Sequence, residues 1–301
     1  MCSGIHTRTT SLPVNDSRSR AFFMPSLHIV PFHLHITLPL FIFPTHQTSK
    51  IMNTTFAPKE LQLWNHALAQ ASTYDTLRWS IAIFGDKLSV GTGFGASGMV
   101  LIDMLTRITP DIDVFFLDTG LLFPETYAFR RRVEAHYGFH IRAVPAPISL
   151  QEQARQMGDR LWERDPDRCC ALRKVATLPI ALEGKQAWMT AIRLDQSPTR
   201  RSTPMFSYDD RLHVIKIAPL VRWTEKDCWR YIHENNVPYN PLHDRGYPSF
   251  GCWTCTRAVQ PGEDPRAGRW AGTEKTECGL HLVHGKLVRA SSRSHTGIDA
   301  S

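Results

Sequence analysis

At 301 residues, with 42% hydrophobic and 21% charged side chains, the chain can bury a substantial core, which excludes a chain that is disordered throughout. Its formal charge of +7 invites a nucleic-acid reading, but residues 1–51 and 282–301 carry +3 and +2 of it. The intervening segment keeps only +2, a balance suited to a small anionic ligand more than to a polyanionic duplex.

Residues 1–51 differ from the rest. The apolar run 21–43 is interrupted by Pro25, Pro31 and Pro39 and by three histidines, so a membrane-spanning helix there would lose backbone hydrogen bonds in lipid. No clean small-residue cleavage site follows an unbroken apolar stretch, which argues against a secretory signal. The segment reads as an atypical, disordered extension or an over-called start, with Met52 as the alternative first residue.

From Glu60 the pattern becomes helical, with Leu61, Trp64 and Leu68 on one face, and a second helical stretch runs through Leu77 and Ile81 to Phe84. Lys87 to Gly91 reads as a strand that enters the glycine-rich turn 91–98, and an apolar helix follows from about Met99. The run Asp113 to Gly120 is a buried strand ending in Asp118. Strand, glycine turn, helix and strand make a βαβ unit, which implies a parallel sheet with right-handed crossovers. Pro124 opens a helix closed by Gly138, Phe139 to Val144 is the next strand, and helices follow from Leu150 and from about Cys170 through Leu178. Strands at 187–192 and 213–219 complete the sheet, and Thr224 with Asp227 forms a capping box for a further helix. Beyond Pro238 the chain is rich in Gly, Pro and charge. The expected organisation is an α/β domain over 52–249, a C-terminal segment over 250–281 and a basic flexible tail over 282–301.

The glycine turn can cradle an anion where a strand ends and a helix dipole begins, through Gly93, Phe94 and Gly95. It lacks the Gly-Lys-Ser/Thr of a Walker loop, and a tight turn for strand–helix packing explains it equally well. Asp118 falls at the carboxyl edge of the sheet, where open α/β folds bind ligands, although capping its own loop is the simpler role.

Seven cysteines, an odd number that includes adjacent Cys169 and Cys170 and the Cys-x-x-Cys pair Cys252 and Cys255, fit metal ligation in a reducing, cytoplasmic compartment better than a disulfide framework. Four-thiolate zinc usually takes pairs spaced by two to four residues, whereas the corners of a 4Fe-4S cube accept adjacent ligands, so the spacing favours the cluster over zinc. Simple burial of the vicinal pair is the bland alternative. Cys278 remains as a candidate nucleophile beside His281, with Arg266 and Arg269 upstream to favour its thiolate and an anionic substrate. Lys174, one turn beyond Cys170, and Arg193, at a predicted strand end, extend the basic set, followed by Arg200 and Arg201. Cys228 reads as core.

These residues lie in the motifs GFGASGMVLIDML, FLDTGLLFPETY, CCALRKV, IRLDQSPTR, PYNPLHDRGYPSFGCWTCTR, RAGRW and ECGLH, and together they resemble the assimilatory adenylyl-sulfate (APS) reductases, within the group that includes phosphoadenylyl-sulfate (PAPS) reductases. The resemblance spans roughly residues 80–281. It implies a Rossmann-like parallel sheet of the adenine-nucleotide-hydrolase type and a 4Fe-4S cluster on Cys169, Cys170, Cys252 and Cys255 that tunes the local field. It also implies attack by Cys278 on the sulfate sulfur, release of AMP, and reduction of the S-sulfonate by thioredoxin or glutaredoxin. Lys174, Arg193, Arg266, Arg269 and His281 would then hold the anion. Ser97 and Gly98 stand where many cluster-containing members carry an acidic pair, and a neutral loop eases acceptance of a 3′-phosphate, so PAPS or dual use is the alternative. Two rivals come from other classes: an ATP pyrophosphatase-like protein with structural zinc, and a nucleic-acid module built on the basic ends, which lacks a base-stacking pattern. No nucleic-acid or membrane partner is expected, and a homo-oligomer is left open.

Overall fold

The computed structural model describes residues 58–280, so the predicted extension and tail, together with His281, lie outside the described residues. Six strands form one sheet in the order β3-β2-β1-β4-β6-β5. They are β1 (Leu88–Gly91), β2 (Val114–Asp118), β3 (Ile141–Pro145), β4 (Ala187–Thr190), β5 (Phe206–Asp209) and β6 (Val214–Ile217). All neighbours run parallel except β5, which pairs antiparallel with β6. The order reverses direction at β1 and β4, so the loops after these two strands diverge and leave a crevice at their carboxyl ends.

The helices that precede the sheet are α1 (Pro58–Ala67) and α2 (Thr73–Phe84), the latter capped by Ser72, whose hydroxyl accepts the Asp75 N–H. Helix α3 (Ala96–Thr106) follows β1 and is buried over most of its length because it packs under α9 (Glu225–Asn235). Its one buried acid, Asp103, is satisfied by the Tyr137 and Tyr231 hydroxyls at 3.0 and 2.8 Å and by Arg107 Nε at 2.7 Å, which ties α3 to α9 and to the segment that ends at Tyr137. Helix α4 (Pro124–Tyr137) starts on Pro124 and ends at Gly138 with φ of 73°, the start and stop expected. The Thr224–Asp227 capping box of α9 is likewise formed.

Between β3 and β4 the chain makes α5 (Leu150–Met157), α6 (Leu161–Arg164), α7 (Pro166–Cys170) and α8 (Leu178–Ala181). The helix expected from Cys170 begins earlier, at Pro166, because the Asp165 carboxylate caps the Arg168 N–H; the vicinal cysteines therefore close α7 rather than open a helix. Ala171–Val175 continues as a π-turn that carries Lys174. Helix α3 also starts three residues before the expected Met99, with Gly95 as its cap. Strand β5 was not expected. Its run FSYD alternates aromatic and polar residues over only four positions. It is held by the edge pairing with β6, by the Asn65 side chain bonded to both the N–H and the carbonyl of Phe206, and by the Phe206 ring against Trp64 and Trp79.

The core lies on both faces of the sheet. Val90, Phe115, Phe116, Ile141, Met189 and Ile215 are all buried, each burial contributing about 1.5–3 kcal/mol before entropy is counted. Among the described residues no helix is long and apolar enough to cross a membrane.

Candidate active site

Two glycine-rich features build the floor of the crevice. Gly91, the last residue of β1, cannot carry a side chain: a Cβ there would stand 2.6 Å from Trp188 Nε1 and 3.2 Å from Phe115 Cζ. The backbone of β1 can thus pass directly beneath two aromatic rings that face the cleft. The next turn forces Phe94 to φ of 61°, which swings its ring into the core against Phe116 and Phe129 and leaves only its backbone facing the cleft. Its N–H is spent on Thr92 Oγ1, 3.0 Å away. A Cβ on Gly93 or Gly95 would meet nothing within 4 Å, so both positions border open space at the start of α3. The first-turn N–H groups of that eleven-residue helix face the same opening with no side-chain cap, an arrangement that favours an anion.

The cleft has a volume of about 340 Å3, within the range of small-molecule sites. It is walled by Lys174, Arg193, Arg200, Arg266 and Arg269, and Cys278 stands among them. The cations are not equivalent. Arg193 Nε is 2.9 Å from Asp195 Oδ1, and Arg200 Nη2 is 2.9 Å from Glu277 Oε2. Arg266 Nη2 is 3.4 Å from Glu277 Oε1. Burial, only partly offset by Glu277, pulls Arg266 down to about 10. Among the described residues neither Lys174 nor Arg269 is within ion-pairing distance of a carboxylate. Arg269 lies 4.5 Å over the Trp270 ring, donates from Nη1 to the Phe250 carbonyl at 2.9 Å, and leaves its buried Nε without a partner.

A second, smaller cavity adjoins the first. Cys169, Cys170, Cys252 and Cys255 line it, with Lys174, Arg269 and Trp270 as walls common to both cavities. Folding brings the two cysteine pairs together by stitching the Cys-x-x-Cys loop to the loop after β2. The Trp253 N–H donates to the Leu121 carbonyl at 2.9 Å, and the Thr119 hydroxyl lies 3.3 Å from Cys252 Sγ. From the other side, the Trp270 N–H donates to the Cys255 carbonyl at 2.8 Å and the Arg257 N–H to the Gly268 carbonyl at 3.0 Å.

Burial pushes the Cys169 thiol up to about 12, with Cys170, Cys252 and Cys255 adding to the effect, and it raises Cys170 and Cys255 in the same direction. The four thiols line one cavity, and a cationic centre would let such a crowded set ionise together. Among the described residues, however, no three side chains are grouped so as to hold a metal ion, so only the donor chemistry points to a four-thiolate group. Burial opposes the charge on Lys174, but Cys252, Cys170 and Cys278 outweigh it and hold the ammonium above the ordinary lysine value.

Gly93, Phe94, Gly95, Lys174, Arg193, Arg266, Arg269 and Cys278, picked from the sequence, all line the cleft. Asp118 does not line it. Its Oδ1 accepts the Tyr127 hydroxyl at 2.6 Å and the Gly120 N–H at 2.9 Å, so it organises the loop after β2. Arg201 points to solvent, and His281 lies outside the described residues. Glu277, Asp195, Gln196 and Trp188 line the cleft and were not anticipated. A signal existed for Glu277, an acid next to the candidate nucleophile. None existed for Trp188, which reads as core.

Comparison with known proteins covers most of the described chain. The family model for the phosphoadenosine phosphosulfate reductase domain matches residues 87–258. The adenosine 5'-phosphosulfate reductase of Halalkalibacterium halodurans is 48% identical over 218 residues, 72% of this chain and 94% of that protein. Adenosine 5'-phosphosulfate reductase 1 of Bacillus subtilis is 47% identical over 206 residues, 68% of this chain and 88% of that protein. The crystal structure of the phosphoadenylyl-sulfate reductase of Candida auris, a phosphate complex, superposes with a TM-score of 0.59 at 34% identity, covering 67% of this chain and 98% of that one. On these matches the chain belongs to the phosphoadenosine phosphosulfate reductase family of oxidoreductases.

Proposed function

We propose that this chain reduces adenylyl sulfate to sulfite and AMP in assimilatory sulfate reduction toward cysteine, through an S-sulfonate on Cys278. The observation that carries this reading is that one cleft is lined by the Cys278 thiol, the anion-favouring glycine turn, and Lys174 and Arg269, which among the described residues have no carboxylate within ion-pairing distance. The names of the relatives support the choice of substrate.

In the first half-reaction the Cys278 thiolate attacks the sulfate sulfur. The bond from that sulfur to the phosphate oxygen breaks, AMP leaves with the electron pair, and Cys278 holds the sulfonate. Lys174 and Arg269 offset the charge that develops on the leaving phosphate and the sulfonate oxygens. Gly93, Gly95 and the first turn of α3 receive the nucleotide phosphate, while Arg193 and Arg266, already paired with acids, fix the walls. In the second half-reaction a dithiol protein, thioredoxin or glutaredoxin, attacks Cys278 Sγ, and sulfite departs with the bonding pair. The mixed disulfide is resolved by the partner's second thiol, so the dithiol is oxidised as sulfur is reduced by two electrons.

Cys169, Cys170, Cys252 and Cys255 would hold a 4Fe-4S cluster. Successive residues on a helix point about 100° apart, so the adjacent Cys169 and Cys170 of α7 suit two corners of a cube better than one tetrahedral ion. When bound, the cluster supplies a fixed charged centre behind Lys174.

Use of PAPS as well is favoured by one observation: the first turn of α3 contains no acid, and Ser97 Oγ accepts a hydrogen bond from Gln196 Nε2 at 3.3 Å. The test is the intact mass of anaerobically purified protein after exposure to APS or PAPS without reductant, beside Cys278→Ser. A sulfonate adduct from APS, absent in the variant, is expected, and adduct from PAPS at a similar rate would establish dual use. No adduct from either substrate would overturn the reading.

A further inference from the structure

Glu277 precedes the nucleophile and is only 15% exposed at its side chain. Its Oε1 accepts from Ser197 Oγ, Thr199 Oγ1 and Arg200 Nε, each at 3.1 Å, and its Oε2 accepts from Arg200 Nη2 at 2.9 Å. Arg266 Nη2 approaches the same carboxylate at 3.4 Å while donating to the Thr276 carbonyl at 2.9 Å. Burial alone would raise this carboxyl, yet Arg200, Arg266 and Ser197 hold it below the ordinary glutamate value.

These contacts matter because the segment has little else to place it. Among the described residues, Glu274 to Leu280 make no backbone–backbone hydrogen bonds and form no helix or strand. Lys275 pairs with Asp167, and Leu280 packs on the apolar cluster of Phe115, Leu178 and Trp188. Cys278 is therefore bracketed, with the Leu280 contact on one side and the Glu277 hydrogen bonds on the other. Ser197, Thr199 and Arg200 lie in the loop after β4, so one carboxylate joins the segment that carries Cys278 to the sheet edge where the substrate would sit.

We propose that Glu277 is the positioning residue for Cys278: its carboxylate clamps the C-terminal segment to Ser197, Thr199 and Arg200 and so holds the thiol in the cleft. The proposal rests on Cys278 being the nucleophile. It assigns Glu277 no contact with substrate. Pairing also removes Arg200 and Arg266 from competition for the substrate's charge, leaving Lys174 and Arg269 to meet it.

The test is site-resolved mass spectrometry of iodoacetamide labelling on the anaerobic full-length protein, followed over pH for wild type, Glu277→Gln and Glu277→Ala. The reagent is neutral, so removing a charge does not change its encounter with the cleft. Release of the segment raises the high-pH plateau rate at Cys278 at least five-fold in Glu277→Ala, with Glu277→Gln between it and wild type, while buried Cys228 stays protected. A plateau equal to wild type, with at most a shifted midpoint, would overturn the proposal, because charge without clamping moves only the midpoint. Should Glu277→Ala expose Cys228 through unfolding, the combined Ser197→Ala, Thr199→Val, Arg200→Met variant removes the clamp's partners from the other side and is judged by the same plateau. Labelling is independent of turnover, so a wild type that forms no sulfonate sinks the reductase reading, whereas an unmoved plateau sinks only the clamp.

Discussion

Lys174 and Arg269 each face two cavities, the cysteine-lined one and the cleft that holds Cys278. The two are close enough that a Cβ on Gly251 would lie 2.8 Å from Arg269 Nη2 and 3.5 Å from Lys174 Nζ. A pair of cations in that shared wall borders the cysteine side chains behind it and any anion in front of it. A charge placed in either cavity would act on the same two side chains.

The first prediction concerns these two side chains. Lys174→Ala or Arg269→Ala removes a cation that no carboxylate among the described residues neutralises, and each should slow sulfonate formation on Cys278 by about 10²-fold. Arg193→Ala removes a cation already paired with Asp195 and should cost less in the chemical step. Single-turnover adduct formation followed by intact mass measures the difference, and equal losses in all three variants would show that pairing does not rank them.

Metal content gives the second. Cys170→Ser removes one of the four soft donors, and protein purified without oxygen should then lose most of its iron and labile sulfide together with its visible absorbance. Removal of the group from wild type by a chelator should lower Tm as well, because the loops carrying Cys252 and Cys255 are tied to the domain by few backbone hydrogen bonds. Stoichiometric zinc in the wild type would instead support the structural-zinc alternative.

Much of this architecture was legible beforehand because its signals are local. Pro124 and Gly138 bracket α4, Thr224 and Asp227 cap α9, and Gly91 marks the end of β1, each through chemistry contained in a few neighbouring residues. The cysteine pairs and the basic set were readable by residue type. What escaped depends mostly on tertiary context. Strand β5 is held by β6 and by the Asn65 side chain of α1, 141 residues from Phe206, whereas the Asp165 cap that starts α7 at Pro166 is a local signal that went unread. Asp118 stood at the strand end that usually carries ligand chemistry, yet Tyr127, nine residues later, claims its carboxylate. Glu277 could be seen beside Cys278, but its arginine partner is seventy-seven residues away in sequence.

Gly91 supplies a third prediction, one of packing. A methyl group at this position would press on Trp188 Nε1 and the Phe115 ring inside a well-filled core, where neither ring can turn away freely. Gly91→Ala should destabilise the protein by about 1–3 kcal/mol by chemical denaturation, whereas Gly93→Ala, facing open space, should leave stability within about 0.5 kcal/mol. The contrast reverses for nucleotide binding: Gly93→Ala narrows the cleft and should weaken AMP affinity.

The last prediction concerns Lys216, on β6 and buried, with its ammonium 5.6 Å from the centre of the Trp188 ring. Burial pulls it from 10.5 down to about 8, and Asp209 offsets only part of that cost. Between about pH 8 and 10.5 the unfolded chain then binds more protons at this site than the folded one, so stability rises with pH through that window. Below it the folded protein bears the whole cost of a buried ammonium. Lys216→Met, of similar volume, should therefore stabilise the protein at pH 7 by about 1–3 kcal/mol, the cation–π contact reducing the gain. That advantage should shrink as pH is raised from 8 toward 10.5, measured as the difference in unfolding free energy between variant and wild type. A difference that stays constant with pH would mean that Lys216 is stabilised by its surroundings as a cation, and that Trp188 and Asp209 together offset its burial.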